Sequence, residues 1–162
     1  MNWYKRAQSE PPQWFPEAQH DYNPDWDYDV VIPDEKLLAI SEQVINEINT
    51  KMLPQIGMGK AKAAYVKNED GNLAKYVSGT APYPVFVVDL EKIKKIAEQC
   101  AKDYDFDCES EINIGIRTTL FHEVGHAIQD WMGLEFDENE AEEFGIEYHE
   151  TGDIWNFWDE LV

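Results

Sequence analysis

The residues with the most chemistry to offer stand together as His122-Glu123-Val124-Gly125-His126, an HExxH sequence. On a helix, positions i and i+4 share a face, so both imidazoles can reach one tetrahedral ion. Glu123 sits about 100° round from His122, where it can meet a water activated by that ion without being a ligand. This division of labour suits hydrolysis. Zinc lowers the pKa of a bound water to about 7, and the carboxylate takes its proton as the oxygen attacks a carbonyl. So short a pattern also occurs on solvated helices. Here Thr119-Leu120-Phe121 precede it and Ala127-Ile128 follow it, which sets the polar triad in an apolar helix. Burying such a triad idle would cost several kcal/mol.

The elements that must position these residues lie in the last third of the chain. Ile116, Leu120, Val124, Ala127 and Trp131 form one apolar stripe on a helix over residues 113–132, and Gly133 supplies the stop. A second helix starts near Asp137, with Ala141, Phe144, Gly145 and Tyr148 on one face. Upstream, Pro33-Asp34 starts a helix carrying Leu37, Leu38, Ile40, Val44, Ile45 and Ile48 to about Met52, before Pro54, Gly57 and Gly59 break the chain. Residues 63–67 and 75–78 flank Asn68-Glu69-Asp70-Gly71-Asn72 and read as a hairpin. The β-branched run 84–90 reads as an interior strand. Ile93, Ile96, Ala97 and Cys100 mark a helix over about 90–103, followed by an acidic loop over 103–111.

The run from Thr119 to Ile128 resembles the extended signature of the zincin metallopeptidases. Met132, not a third histidine, lies six residues after His126, so the metzincin ligand spacing is absent. Glu138, Ala141, Glu142 and Phe144 instead resemble the downstream glutamate helix of gluzincin-type peptidases. The phage-immunity and stress-response peptidases of the IrrE/ImmA type and the anthrax lethal-factor catalytic domain carry similar stretches. The resemblance implies an α+β, minimal zincin-like domain, a small β-sheet packed on the HExxH helix and the following glutamate-bearing helix. It implies Glu138 as third zinc ligand and Glu142 as the partner that hydrogen-bonds a ligand histidine, positions that share a helix face. Asn139-Glu140-Ala141 matches the tripeptide at the ligand of thermolysin-like enzymes, which makes Glu140 the rival ligand, with Glu142 and Glu143 as further alternatives. Such families carry an edge strand that pairs with an extended substrate, a role for residues 63–67 or 84–90. Tyr148 and His149 are the candidates for stabilising the transition state, while Glu143 and Glu147 read as solvated.

Residues 1–33 differ from the rest, with Pro11, Pro12, Pro16, Pro24 and Pro33 among Trp3, Tyr4, Trp14, Phe15, Tyr22, Trp26 and Tyr28. Proline blocks regular elements and the rings avoid water, so these residues read as an irregular arm docked on a domain over 34–162, with His20 at the surface. Ile154, Trp155, Phe157 and Trp158 read as a docked tail.

With 33 acidic against 13 basic side chains, the net charge is -20, which disfavours nucleic-acid backbones and anionic membranes as partners. No apolar run reaches the ~20 residues of a membrane span, and no secretory h-region follows Met1. The expectation is a soluble cytoplasmic protein, of bacterial or phage origin by the resemblance, with Cys100 and Cys108 as reduced thiols. Peptides or proteins are the expected substrates, and an acidic surface would attract basic ones. The competing expectation is an acidic, zinc-stabilised binding or inhibitor protein without peptidase activity. A closed structural zinc site fits less well, since it takes four protein ligands and has no use for a free glutamate beside them.

Overall fold

The computed structural model describes residues 29–67 and 71–152. The arm's aromatics, His20 and the aromatic tail lie outside these residues. The described chain is α+β: β1 (Asp29–Val30), α1 (Glu35–Glu47), β2 (Lys62–Lys67), β3 (Ala74–Tyr76), β4 (Val85–Val88), α2 (Leu90–Tyr104), α3 (Cys108–Met132) and α4 (Glu138–Thr151). Asp29 and Val30, at the end of the stretch expected to be irregular, pair antiparallel with Lys67 and Val66.

Asp34 starts α1 by accepting the N–H groups of Lys36 and Leu37 at 3.0 and 3.4 Å. The helix then widens into a π turn, Ile48–Met52, and tightens into a 3-10 turn, Leu53–Ile56. Gly57 closes it at φ 73°, a left-handed conformation that favours glycine.

The sheet order is β1-β2-β4-β3. β4 lies parallel to β2 on one side and antiparallel to β3 on the other, so the expected hairpin of β2 and β3 does not form. The physical reason is burial. All four residues of β4 are buried, and a strand this apolar is best satisfied in the middle, with hydrogen bonds on both edges and cover on both faces. Among the described residues β3 therefore becomes an edge, while both strands proposed for that role are interior.

α2 buries Leu90, Ile93, Ala97 and Ala101 against α3, and Ile96, expected on that face, is instead exposed. The expected acidic loop shrinks to three residues. Asp105 turns the chain at φ 56°, and Asp107 caps α3 by accepting the Ser110 N–H at 2.9 Å. Glu109 and Glu111 fall in the first turn, where the helix dipole favours negative charge. The predicted stripe of Ile116, Leu120, Val124, Ala127 and Trp131 is wholly buried. Arg117 ties α3 to α1 through a two-pronged pair with Glu47 at 3.1 and 3.2 Å, its guanidinium 5.0 Å from the Phe121 ring centre. Among the described residues, no helix is long and apolar enough to cross a membrane. Cys100 and Cys108 are free.

Candidate metal centre

α3 and α4 meet through their smallest residues. A Cβ on Gly125 would stand 3.0 Å from Ala141 Cα, and one on Gly145 would stand 3.0 Å from the backbone nitrogen of His122. Any larger residue at either place would hold the helices apart. α3 ends at Gly133, φ 72°, where the N–H groups of Gly133 and Leu134 close on the carbonyls of Asp130 and Gln129. Asp137 then caps α4 by accepting the Glu140 N–H at 3.0 Å. This short return lays the first turn of α4 over the histidines.

The outcome is a cluster of His122, His126 and Glu138, whose ligand atoms all lie within 4.8 Å of one another. The two rings stand 4.9 Å apart, centre to centre. The Glu138 carboxylate straddles them, with Oε2 3.0 Å from His122 Nε2 and Oε1 3.0 Å from His126 Nε2. Glu142 Oε2 lies 2.8 Å from His122 Nδ1, and since a carboxylate only accepts, the ring donates that N–H. His122 Nε2 is then left to face a carboxylate oxygen with its lone pair, an arrangement that calls for a proton or a metal ion between the two. A tetrahedral ion with bonds of about 2.0–2.2 Å sets its donors roughly 3.3–3.6 Å apart, between the 3.0 Å contacts of Glu138 and the 4.8 Å limit of the cluster. The three side chains are near enough to hold a metal ion.

Glu123 is buried behind the cluster, and its Oε2 accepts the Tyr76 backbone N–H at 2.7 Å. Burial pushes its carboxyl above the ordinary range, against the opposing pull of His122, His126 and that N–H. Tyr76 is fixed in turn: its hydroxyl donates to Asp130 at 2.6 Å, and Gly79 N–H donates to the same oxygen at 2.9 Å. Burial and Asp130 together hold the Tyr76 hydroxyl far above its usual pKa.

A cleft of about 490 Å³ opens over these groups, between β3 and the α3–α4 pair. β3 forms one wall, so neither segment proposed as the cleft-lining strand plays that part. Leu73 and Val77 hydrogen-bond to β4, and by alternation the main-chain groups of Ala74 and Tyr76 point to the other edge, where the Tyr76 N–H is taken by Glu123. Phe136 stands at the rim, 54% exposed, edge-on to His126 at 5.2 Å and to Tyr76 at 6.4 Å.

Of the other residues singled out in the sequence, Glu140 turns away from the histidines and accepts from Gln129 Nε2 at 3.1 Å. Tyr148 is buried edge-on against Phe121 at 4.8 Å, and neither it nor His149 lines the cleft. Glu143 is exposed and Glu147 half-buried. Three residues at the site escaped sequence reasoning. Gln129, fully buried one turn beyond His126, follows the apolar pair Ala127-Ile128 and precedes Asp130, so no pattern set it apart. Tyr76 acts through its backbone, which no side-chain pattern displays, and Phe136 sits in a loop without periodicity. A comparison with protein families, curated proteins and solved structures finds no match to this chain.

Proposed function

We propose that the chain is a zinc-dependent metallopeptidase of the gluzincin kind, with a zincin-like arrangement of its helices and sheet. The observation that carries this reading is the convergence of His122 Nε2, His126 Nε2 and the Glu138 carboxylate at 3.0 Å, beside a buried carboxylate in an open cleft. Two nitrogens and one carboxylate, with a fourth position free, are the donor set of catalytic rather than structural zinc. Bound there, zinc would acidify a water to near neutrality and polarise a carbonyl. Glu123 accepts the proton of the attacking water and passes it to the leaving amine. Glu142 keeps His122 in the tautomer that turns Nε2 to the metal. On the outer edge of β3, Ala74 and the Tyr76 carbonyl would offer an extended peptide backbone hydrogen bonds, the Tyr76 N–H being taken by Glu123.

Zinc bound per chain, measured by elemental mass spectrometry, together with cleavage of a mixed peptide library, tests this reading. We expect one equivalent in the wild type, less than a tenth in His122→Ala, and cleavage that Glu123→Gln slows about 10²–10⁴-fold while zinc stays bound. Zinc content below a tenth of an equivalent in the wild type defeats the proposal.

A further inference from the structure

We propose that Gln129 positions His126, by dictating which nitrogen of that ring carries the proton. The inference rests on the metal-centre reading for its purpose, though not for its geometry.

Gln129 is wholly buried, and its amide has four partners. Oε1 lies 2.9 Å from His126 Nδ1 and 3.3 Å from the backbone nitrogen of Asp137. Nε2 lies 3.1 Å from the Asp137 carbonyl and 3.1 Å from Glu140 Oε1. An amide can be placed either way round, so its orientation must be argued from its neighbours. Here they leave one choice. The Asp137 N–H can only donate, and the Asp137 carbonyl and Glu140 carboxylate can only accept. Turning the amide over would set its NH₂ against the N–H, and its oxygen against a carbonyl and a carboxylate.

With the amide so fixed, His126 Nδ1 faces an oxygen that only accepts, and Nδ1 must carry hydrogen. Nε2 is thereby freed as a donor atom, and it is the nitrogen that lies 3.0 Å from Glu138 Oε1. The first turn of α4 thus serves the site twice. Glu138 supplies a donor, while Asp137 and Glu140, flanking it, lock Gln129 and through it the second ring. Glu140 becomes the outer anchor of this chain of contacts. The two rings are served unequally, His122 by a carboxylate and His126 by a neutral amide, so a metal held there would meet one more basic imidazole and one less basic.

Two measurements test this. In nitrogen-15 labelled protein, two-bond nitrogen–proton correlations report which ring nitrogen bears hydrogen. We expect His126 Nδ1 to be protonated both without metal and after addition of one equivalent of zinc, and a bare Nδ1 in either state overturns the proposal. The second is zinc affinity by chelator competition for Gln129→Met, which keeps the bulk and removes the amide. We expect binding weakened about 10–100-fold, with the Nδ1–H signature of His126 lost in the metal-free variant. Wild-type affinity in a folded variant overturns the positioning role. Should that variant fail to fold, the wild-type spectrum decides. A wild type that binds no zinc defeats the metal-centre reading alone, because the metal-free spectrum still judges Gln129.

Discussion

Glu123 faces opposite demands as a folding residue and in the proposed hydrolysis. Its folded pKa lies above its unfolded value, about 4.3, because burial penalises the charged form. The folded chain therefore holds that proton more tightly. The stabilisation this brings is complete below the unfolded pKa and is lost as pH rises through the folded value. At pH 8 the buried carboxylate is a cost, so Glu123→Gln should raise the melting temperature of the metal-free protein, with a gain that shrinks toward pH 4. The same substitution should lower kcat by about 10²–10⁴-fold, the usual worth of a general base. Lower stability at pH 8 together with unchanged turnover would contradict both halves of the account. Glu142 offers a separate test: Glu142→Ala should weaken zinc binding about 10–100-fold, while Glu143→Ala, on the exposed side of the same helix, should leave it unchanged. Glu138 and Glu142 were legible through the resemblance to gluzincin-type helices, since periodicity puts them on one face without choosing Glu138 over Glu140 as the ligand. Gln129 was not, since its role depends on the backbone of Asp137, placed by a loop that periodicity does not describe.

At the scale of elements, the site is a consequence of how closely two helices approach. The Cβ that Gly145→Ala would add lies 3.0 Å from the His122 nitrogen and 3.3 Å from the Thr118 carbonyl oxygen, backbone atoms that cannot swing aside. Alanine gains about 1 kcal/mol in helix propensity over glycine, but overpacking of this kind costs roughly 1–3 kcal/mol. The clash wins. We expect a net loss of about 1 kcal/mol, a melting temperature lower by about 2–4 °C, and zinc binding weakened along with it as Glu138 is pushed from the rings. A stabilised variant with unchanged zinc affinity would show that the contact is slack. The small faces of these helices were readable from Ala141, Gly145 and the apolar stripe of α3, each on a single-element period. The sheet was less readable. The turn residues 68–72 suit a hairpin, yet strand order is decided by competition among all the strands, and the wholly buried β4 takes the centre. The start of α3 was missed for a related reason: its acidic residues read as loop by composition, whereas they serve as cap and first turn.

The whole molecule carries a net charge of -20, and its site adds Glu123, Glu138 and Glu142 around one cleft. Self-repulsion of this size opposes the compact state, and salt relieves it generically by shortening the Debye length from about 30 Å at 0.01 M to about 8 Å at 0.15 M. Zinc should act differently. An ion that binds only the folded chain stabilises it by about 4.1 kcal/mol at a thousand times its Kd, or roughly 8–16 °C for a chain of this size. Salt and zinc should therefore separate in one set of melting curves. Sodium chloride should raise the melting temperature of the wild type and of His122→Ala alike, because the repulsion it screens is spread over the surface. Zinc at micromolar excess should raise that of the wild type alone, because its effect requires both imidazoles and Glu138 together. An equal zinc shift in His122→Ala would mean that the ion acts on the acidic surface at large, and the candidate centre would lose its claim to specific binding.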